Sequence, residues 1–230
     1  MSANEPTQLD EGVEEELDVE ALLASPEEQG YFDCSVPEEF AEEEEGLEPR
    51  PVQPIEARCL REFTAHRTQG TRQLSVIRWI VIHSTEGSSA RSSARWFTDP
   101  KAKGSAHLIV DDRECYRTLG DEVIPWGAPG ANKLGWHLEL SGRANFTPQQ
   151  WQSHRETLRR GAFKAAFHAK RFGIPIKLLS AADIRAGRRG FITHALCTKA
   201  FNTEGGHTDP GRNCPLDDFI KIAKDFREEL

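Results

Sequence analysis

The chain has 230 residues, 37% of them hydrophobic and 8% aromatic, enough for one core of ordinary size but lean for the full length. Its net charge of −8 hides a division: residues 1–50 carry 18 Asp and Glu against Arg50 alone, while the remainder carries 28 Lys and Arg against 19 acids. The basic remainder suits an anionic polymer, nucleic acid or cell wall, without choosing between them.

The first residues, Met1-Ser-Ala-Asn-Glu-Pro6, show no basic leader followed by an apolar run, so no secretory signal is expected. The longest apolar run, near residues 79–82, falls far short of a membrane span. Residues 1–60 are expected to form an acidic arm, disordered or docking, because the block at 42–45 and the stretch Pro49-Arg-Pro-Val-Gln-Pro54 cannot bury enough apolar surface to offset chain entropy. Leu17, Val19, Leu22 and Leu23 offer one or two turns of a docking helix; a solvated tail is the plainer alternative.

From Arg61 onward the pattern is globular. Residues 77–83, Ile-Arg-Trp-Ile-Val-Ile-His, have the β-branched and aromatic content of a buried strand. After the turn at Glu86-Gly87, residues 88–97 read as a helix. Residues 106–111 and 114–119 read as a hairpin around Asp111-Asp112-Arg113, and 135–140 as another strand. Thr147-Pro148-Gln149-Gln150 then offers an N-cap, a proline at the first helical position and a capping box, opening a helix that Gly173-Ile-Pro175 stops. A last helix runs from Leu216 to the end. Strands interleaved with helices imply an α/β fold, a mixed central sheet flanked by helices. Five scattered cysteines (Cys34, Cys59, Cys115, Cys197, Cys214) with no CxxC pair argue against a disulfide framework and for synthesis in a reducing compartment.

Of eight histidines, His66, His154 and His168 fall in a linker or on helix surfaces, where solvated packing is the default. His83 differs, because it ends an apolar strand just before a loop, where a ligand is rigidly held. His194 follows Phe191-Ile-Thr, and Asp209 lies in His207-Thr-Asp-Pro-Gly211. Two imidazoles and one carboxylate or thiolate would complete a catalytic zinc shell that leaves one position for water. The spacing 83…194…209 is no short finger motif, so chemistry suggests such a site where spacing alone does not.

Five segments occur in order: Ile80-Val-Ile-His-Ser-Thr-Glu-Gly87, Gly104-Ser-Ala-His-Leu-Ile-Val110, His137-Leu-Glu-Leu-Ser-Gly142, Ile192-Thr-His194 and His207-Thr-Asp-Pro-Gly211. Together they resemble the type-2 N-acetylmuramoyl-L-alanine amidases, a family that includes phage endolysins, cytosolic anhydromuramoyl-peptide amidases and peptidoglycan recognition proteins. The resemblance runs from about Ile77 to Phe226 and implies an amidase-2 domain over 61–230. It implies zinc (Zn2+) as cofactor on His83, His194 and Asp209, with Cys214-Pro215 as a rival third ligand because other members use a cysteine before a proline. It implies Glu139 as the proton acceptor and donor, although that segment departs from the GIELEG-like pattern and aligns only with a two-residue shift. His207 would face the oxyanion. His107 matches a recurrent position near the site, where a hydrogen-bonded interior histidine is an equal reading. Trp126 resembles the tryptophan of a Trp-His-Ala-Gly-like loop, with Gly127 where the histidine usually stands.

The activity so implied is hydrolysis of the amide between N-acetylmuramic acid and L-alanine in peptidoglycan. The partner is then peptidoglycan or a muropeptide, not nucleic acid, with a further protein partner possible for the acidic arm. Three readings compete: a lytic enzyme, as in a phage endolysin or a delivered effector; a cytosolic muropeptide-recycling amidase; and a non-catalytic wall-binding module. The complete ligand set favours catalysis. With no secretory signal expected, the protein is expected to be made in the cytoplasm, and the acidic arm favours a carried or docked protein that acts at the bacterial cell wall after release or delivery.

Overall fold

A computed structural model describes Val36, Pro37, Phe40 and residues 51–203 and 206–230. The expected docking turn at Leu17–Leu23 and the acidic block at 42–45 lie outside the described residues. Five strands form one sheet in the order β3-β2-β4-β1-β5: β1 Trp79–Ser84, β2 Leu108–Val110, β3 Cys115–Arg117, β4 Gly135–Leu140 and β5 Gly190–Thr193. β1 runs parallel to both β4 and β5, β2 runs parallel to β4, and the edge strand β3 is antiparallel to β2. Every residue of β1 and β4 is buried, as expected for central parallel strands covered on both faces.

The period of two divides those strands between two environments. Ile80, Ile82, Trp136, Leu138 and Leu140 face a large core built with helices α3 (Arg155–Phe172) and α6 (Leu216–Glu229). Ala162, Ala165, Ala166 and Ala169 keep α3 thin on this side, and Gly161 lets it touch the sheet, where a Cβ would meet Leu140 Cδ2 at 2.5 Å. Trp79 and Val81 face the opposite way, toward α4 (Ala181–Arg185) and α5 (His194–Phe201). The short helix α1 (Ala90–Trp96), capped by Ser89, covers the same face beside Ile109. Val36 and Phe40 pack against this last group, with Phe40 edge-on to Trp96 at 5.0 Å.

Several features depart from the sequence reading. The helix begun by the Thr147 capping box ends early, as α2 (Pro148–Ser153). His154 leaves helical geometry (φ −97°, ψ 28°) with its Nδ1 2.9 Å from the Gln150 carbonyl oxygen, and α3 starts afresh. The capping box itself and the left-handed Gly173 stop stand as read. His168 is buried, not solvated: it stacks on Trp136 with ring centroids 3.9 Å apart. The part of the acidic arm nearest the body is attached to it. Buried Arg160 donates to the carbonyls of Gln53 and Pro54, Lys164 donates to that of Ala57, and Leu60 bridges to Tyr116. Cys59 and Cys115 form a disulfide, contrary to the expectation of unpaired thiols. A separation of 56 residues hides a pairing that exists only once residues 59–60 lie beside β3.

Asp121 is the charged anchor of this body. Buried, it accepts hydrogen bonds from Arg117 at 2.7 Å and from Trp136 Nε1 at 2.9 Å, and pairs with Arg171. Burial alone would raise its pKa, but the hydrogen bond and charge of Arg117 outweigh it and hold the carboxyl at about 2, below its ordinary 3.8. A carboxyl held lower in the folded state stabilises the fold above its unfolded pKa, and that contribution is lost as pH falls through the folded value. Asp121→Asn is therefore expected to cost about 2 kcal/mol at neutral pH, a gap that closes between about pH 4 and 2. Denaturant unfolding of both proteins across that window checks it; a gap independent of pH would contradict the assignment.

Candidate metal centre

The site lies at the carboxyl ends of β1 and β4, where open α/β sheets commonly hold ligands. His83 is the fifth residue of β1 and Glu139 the fifth of β4, and the two stand opposite each other in the register. Residues paired across parallel strands project to the same face, so the β-ladder sets imidazole and carboxylate side by side. His194 arrives from β5: Thr193 ends that strand and caps α5 through its hydroxyl, which places His194 in the first turn. Asp209 comes from the loop after α5, where its carbonyl accepts from Ala195 N at 3.0 Å.

These three side chains converge. Asp209 Oδ2 lies 3.0 Å from His83 Nδ1, and Asp209 Oδ1 lies 3.0 Å from His194 Nδ1. One ligand atom from each falls within 4.8 Å of the other two. Burial alone would push the Asp209 carboxyl up; the charge and hydrogen bonds of His194, with those of His83, reverse this and hold it far below the usual carboxylate range.

The Asp209 loop has its own brace. Gly211 sits at φ +91°, and a Cβ there would meet the Ala144 carbonyl oxygen at 2.0 Å, so the glycine of Thr-Asp-Pro-Gly is a steric requirement. Ala144 N in turn donates to Glu86 Oε1 at 2.7 Å, and Ser84 Oγ donates to the same oxygen at 2.7 Å. Glu86, which the sequence marked only as part of a turn, thus links the end of β1 to the loop that supports Asp209.

Glu139 is wholly buried, and neither carboxylate oxygen has a hydrogen-bond partner among the described residues. Burial raises its pKa well above the ordinary value, and the nearby Asp209 charge adds to the rise. His194 Nε2 likewise has no partner. Such orphaned polar atoms are costly in a folded interior and mark a place where something else binds. Two imidazoles and a carboxylate match the donor chemistry of a three-ligand zinc site, so the residues present fit the ion.

The remaining candidates divide. His207 stands at the rim, its ring stacked on His194 with centroids 4.1 Å apart and its Nδ1 3.9 Å from Asp209 Oδ1. Cys214 does not join the group; it packs in the core on the other face of the sheet, where burial pushes its thiol up to about 12. His107 lies behind the site, accepting from His137 N on Nδ1 at 2.9 Å and directing Nε2 to the Val123 carbonyl at 3.0 Å. Burial and the Arg72 charge keep its ring neutral. Trp136 is a core residue, whereas Trp126 is half-buried with the Arg67 guanidinium 5.0 Å from its ring centre. One neighbour escaped the sequence reading: His137, two residues before Glu139 on the same face, places Nδ1 3.0 Å from His83 Nε2. The period of two from Glu139 in β4 is the sequence signal that puts His137 on this face.

A family model described as N-acetylmuramoyl-L-alanine amidase matches residues 72–212. Among solved structures, the hydrolase AmiA of Staphylococcus aureus, determined with its ligand, is similar with TM-score 0.58 and 16% identity over 86% of this chain and 95% of its own. PlyL gives 0.54 and 14% over 73% of this chain and 97% of its own, and the catalytic domain of XlyA gives 0.52 and 16% over 73% and 99%. At such identities these likenesses speak to the fold. Among curated proteins, none matches the sequence significantly. With the family model spanning more than half of the chain, and the mixed sheet and flanking helices agreeing with it, the protein belongs to the type-2 N-acetylmuramoyl-L-alanine amidase family.

Proposed function

We propose that the chain hydrolyses the amide between N-acetylmuramic acid and L-alanine in bacterial peptidoglycan, with zinc held by His83, His194 and Asp209. The observation that carries this reading is a buried, unpartnered Glu139 carboxylate at the strand ends beside three converging ligand side chains. A zinc ion supplies Lewis-acid chemistry, which lowers the pKa of water from 15.7 to about 7 and polarises a carbonyl. Glu139 takes the proton of the attacking water and returns it to the departing L-alanine nitrogen. Its burial suits that task, because a carboxyl raised above its ordinary pKa holds a proton more readily than an exposed one. His207, at the rim and stacked on His194, donates a hydrogen bond to the carbonyl oxygen as charge develops there, a contribution of about 3 kcal/mol for one donor.

The setting we propose is lytic, as for an endolysin or a delivered effector acting on intact wall. The 18 acidic residues among the first 50 favour a carried or docked protein, since a recycling enzyme has no evident need of them. Among the described residues no helix is long and apolar enough to cross a membrane.

Digestion of purified peptidoglycan by the full chain is expected to release new L-alanine amino termini, to stop on chelation and to resume with zinc. Reducing sugar ends in their place would identify a glycosidase. Turnover of soluble muropeptides without attack on intact wall would transfer the enzyme to recycling.

A further inference from the structure

We propose that His137 is a positioning residue that holds His83 in its metal-binding orientation, supplying from β4 an imidazole that the loop after Trp126 lacks. The inference rests on the metal reading above. His83 turns Nδ1 toward Asp209, so its other nitrogen, Nε2, needs a partner on the far side of the ring. That partner is His137 Nδ1, at 3.0 Å, with the two ring planes 20° apart. Metal-binding histidines generally pass their second ring N–H to a fixed acceptor, which sets both tautomer and ring plane. Here the acceptor is another imidazole, and both rings are wholly buried.

His137 is fixed from two directions. Its backbone N–H donates to His107 Nδ1 at 2.9 Å, so the neutral His107 behind the sheet end keeps this stretch of β4 in place. Its ring occupies space that two glycines leave. A Cβ at Gly127 would meet His137 Nδ1 at 2.3 Å, and one at Gly135 would meet Nε2 at 2.8 Å. Gly127 stands where the family pattern carries histidine, and a side chain there cannot share the space with the His137 ring. Gly127 and Gly135 thus leave the room that the His137 ring fills.

Packing alone would explain a buried ring but not its hydrogen bond, and isosteres separate the two. Asparagine places an acceptor where Nδ1 stands; glutamine places its amide where Nε2 stands. Zinc affinity of the full chain, measured by competition with a chromophoric chelator, is expected to stay close to wild type in H137N. In H137Q it is expected to fall roughly 10–100-fold. H137G should lose affinity similarly, and the reciprocal double variant G127H/H137G should recover most of it. Wild-type affinity in H137Q, equal weakening by Asn and Gln, or no recovery in the double variant would each overturn the assignment. A wild-type chain that binds no zinc would instead overturn the metal reading itself.

Discussion

Asp209→Ala is expected to abolish tight zinc binding and, with it, measurable wall hydrolysis. Asp209 reaches both imidazoles of the cluster, with one oxygen 3.0 Å from each. Its removal would take away one of the three proposed ligands and the charge that would balance a dication. The loss of affinity should exceed the roughly 10–100-fold typical of partners that only orient a ligand. Two histidines of like chemistry would also remain buried together without their common acceptor, so folding of the metal-free variant must be followed by circular dichroism. Cys214→Ser is the matched control. Its thiol is pushed to about 12 and lies in the core across the sheet, so zinc stoichiometry and affinity should be unchanged. Zinc bound normally by the Asp209 variant and lost in the Cys214 variant would reverse the choice of third ligand.

Glu139→Gln should behave differently: zinc retained, turnover lost. The substitution keeps shape and volume and removes only the capacity to move a proton, a contribution of roughly 10²–10⁴-fold in rate. A second effect follows from the burial of a carboxyl whose two oxygens have no partner. Such a group strains the fold at a functional place, so the metal-free variant should unfold at a higher temperature than the metal-free wild type. Metal content, kcat on soluble muropeptide and thermal midpoint are measured on one preparation. Retained turnover, or activity lost only in proportion to zinc, would remove Glu139 from its role.

Much of the frame was legible because it is local. The β1 run of β-branched and aromatic residues, the Thr147 capping box and the glycine stop at 173 each specify themselves within a few positions. What was not legible depends on distant chain. The break at His154 turns on a side chain meeting a carbonyl one turn back, a competition that helical periodicity does not register. Strand β5 has four residues and makes sense only against β1. Cys59 and Cys115 meet only after residues 59–60 lie along β3, and His168 reads as a surface residue until Trp136 is placed beneath it. Within the site, His83, His194 and Asp209 were read from chemistry and resemblance, and the fold gathers them. His137 shares a face with Glu139 by the period of two, but its contact with His83 exists only once β1 and β4 lie side by side.

The pairing of His83 with Glu139 across two central strands ties the proposed metal-holding and proton-moving halves of the centre to a single mechanical part. Were β4 to shift by one position against β1, the carboxylate and His137 would rotate together into the oily layer under α3, leaving leucines at the mouth. Partial loosening of this centre is therefore hardly available to the molecule. Damage to the ladder extinguishes both halves at once, and whatever preserves the ladder preserves both.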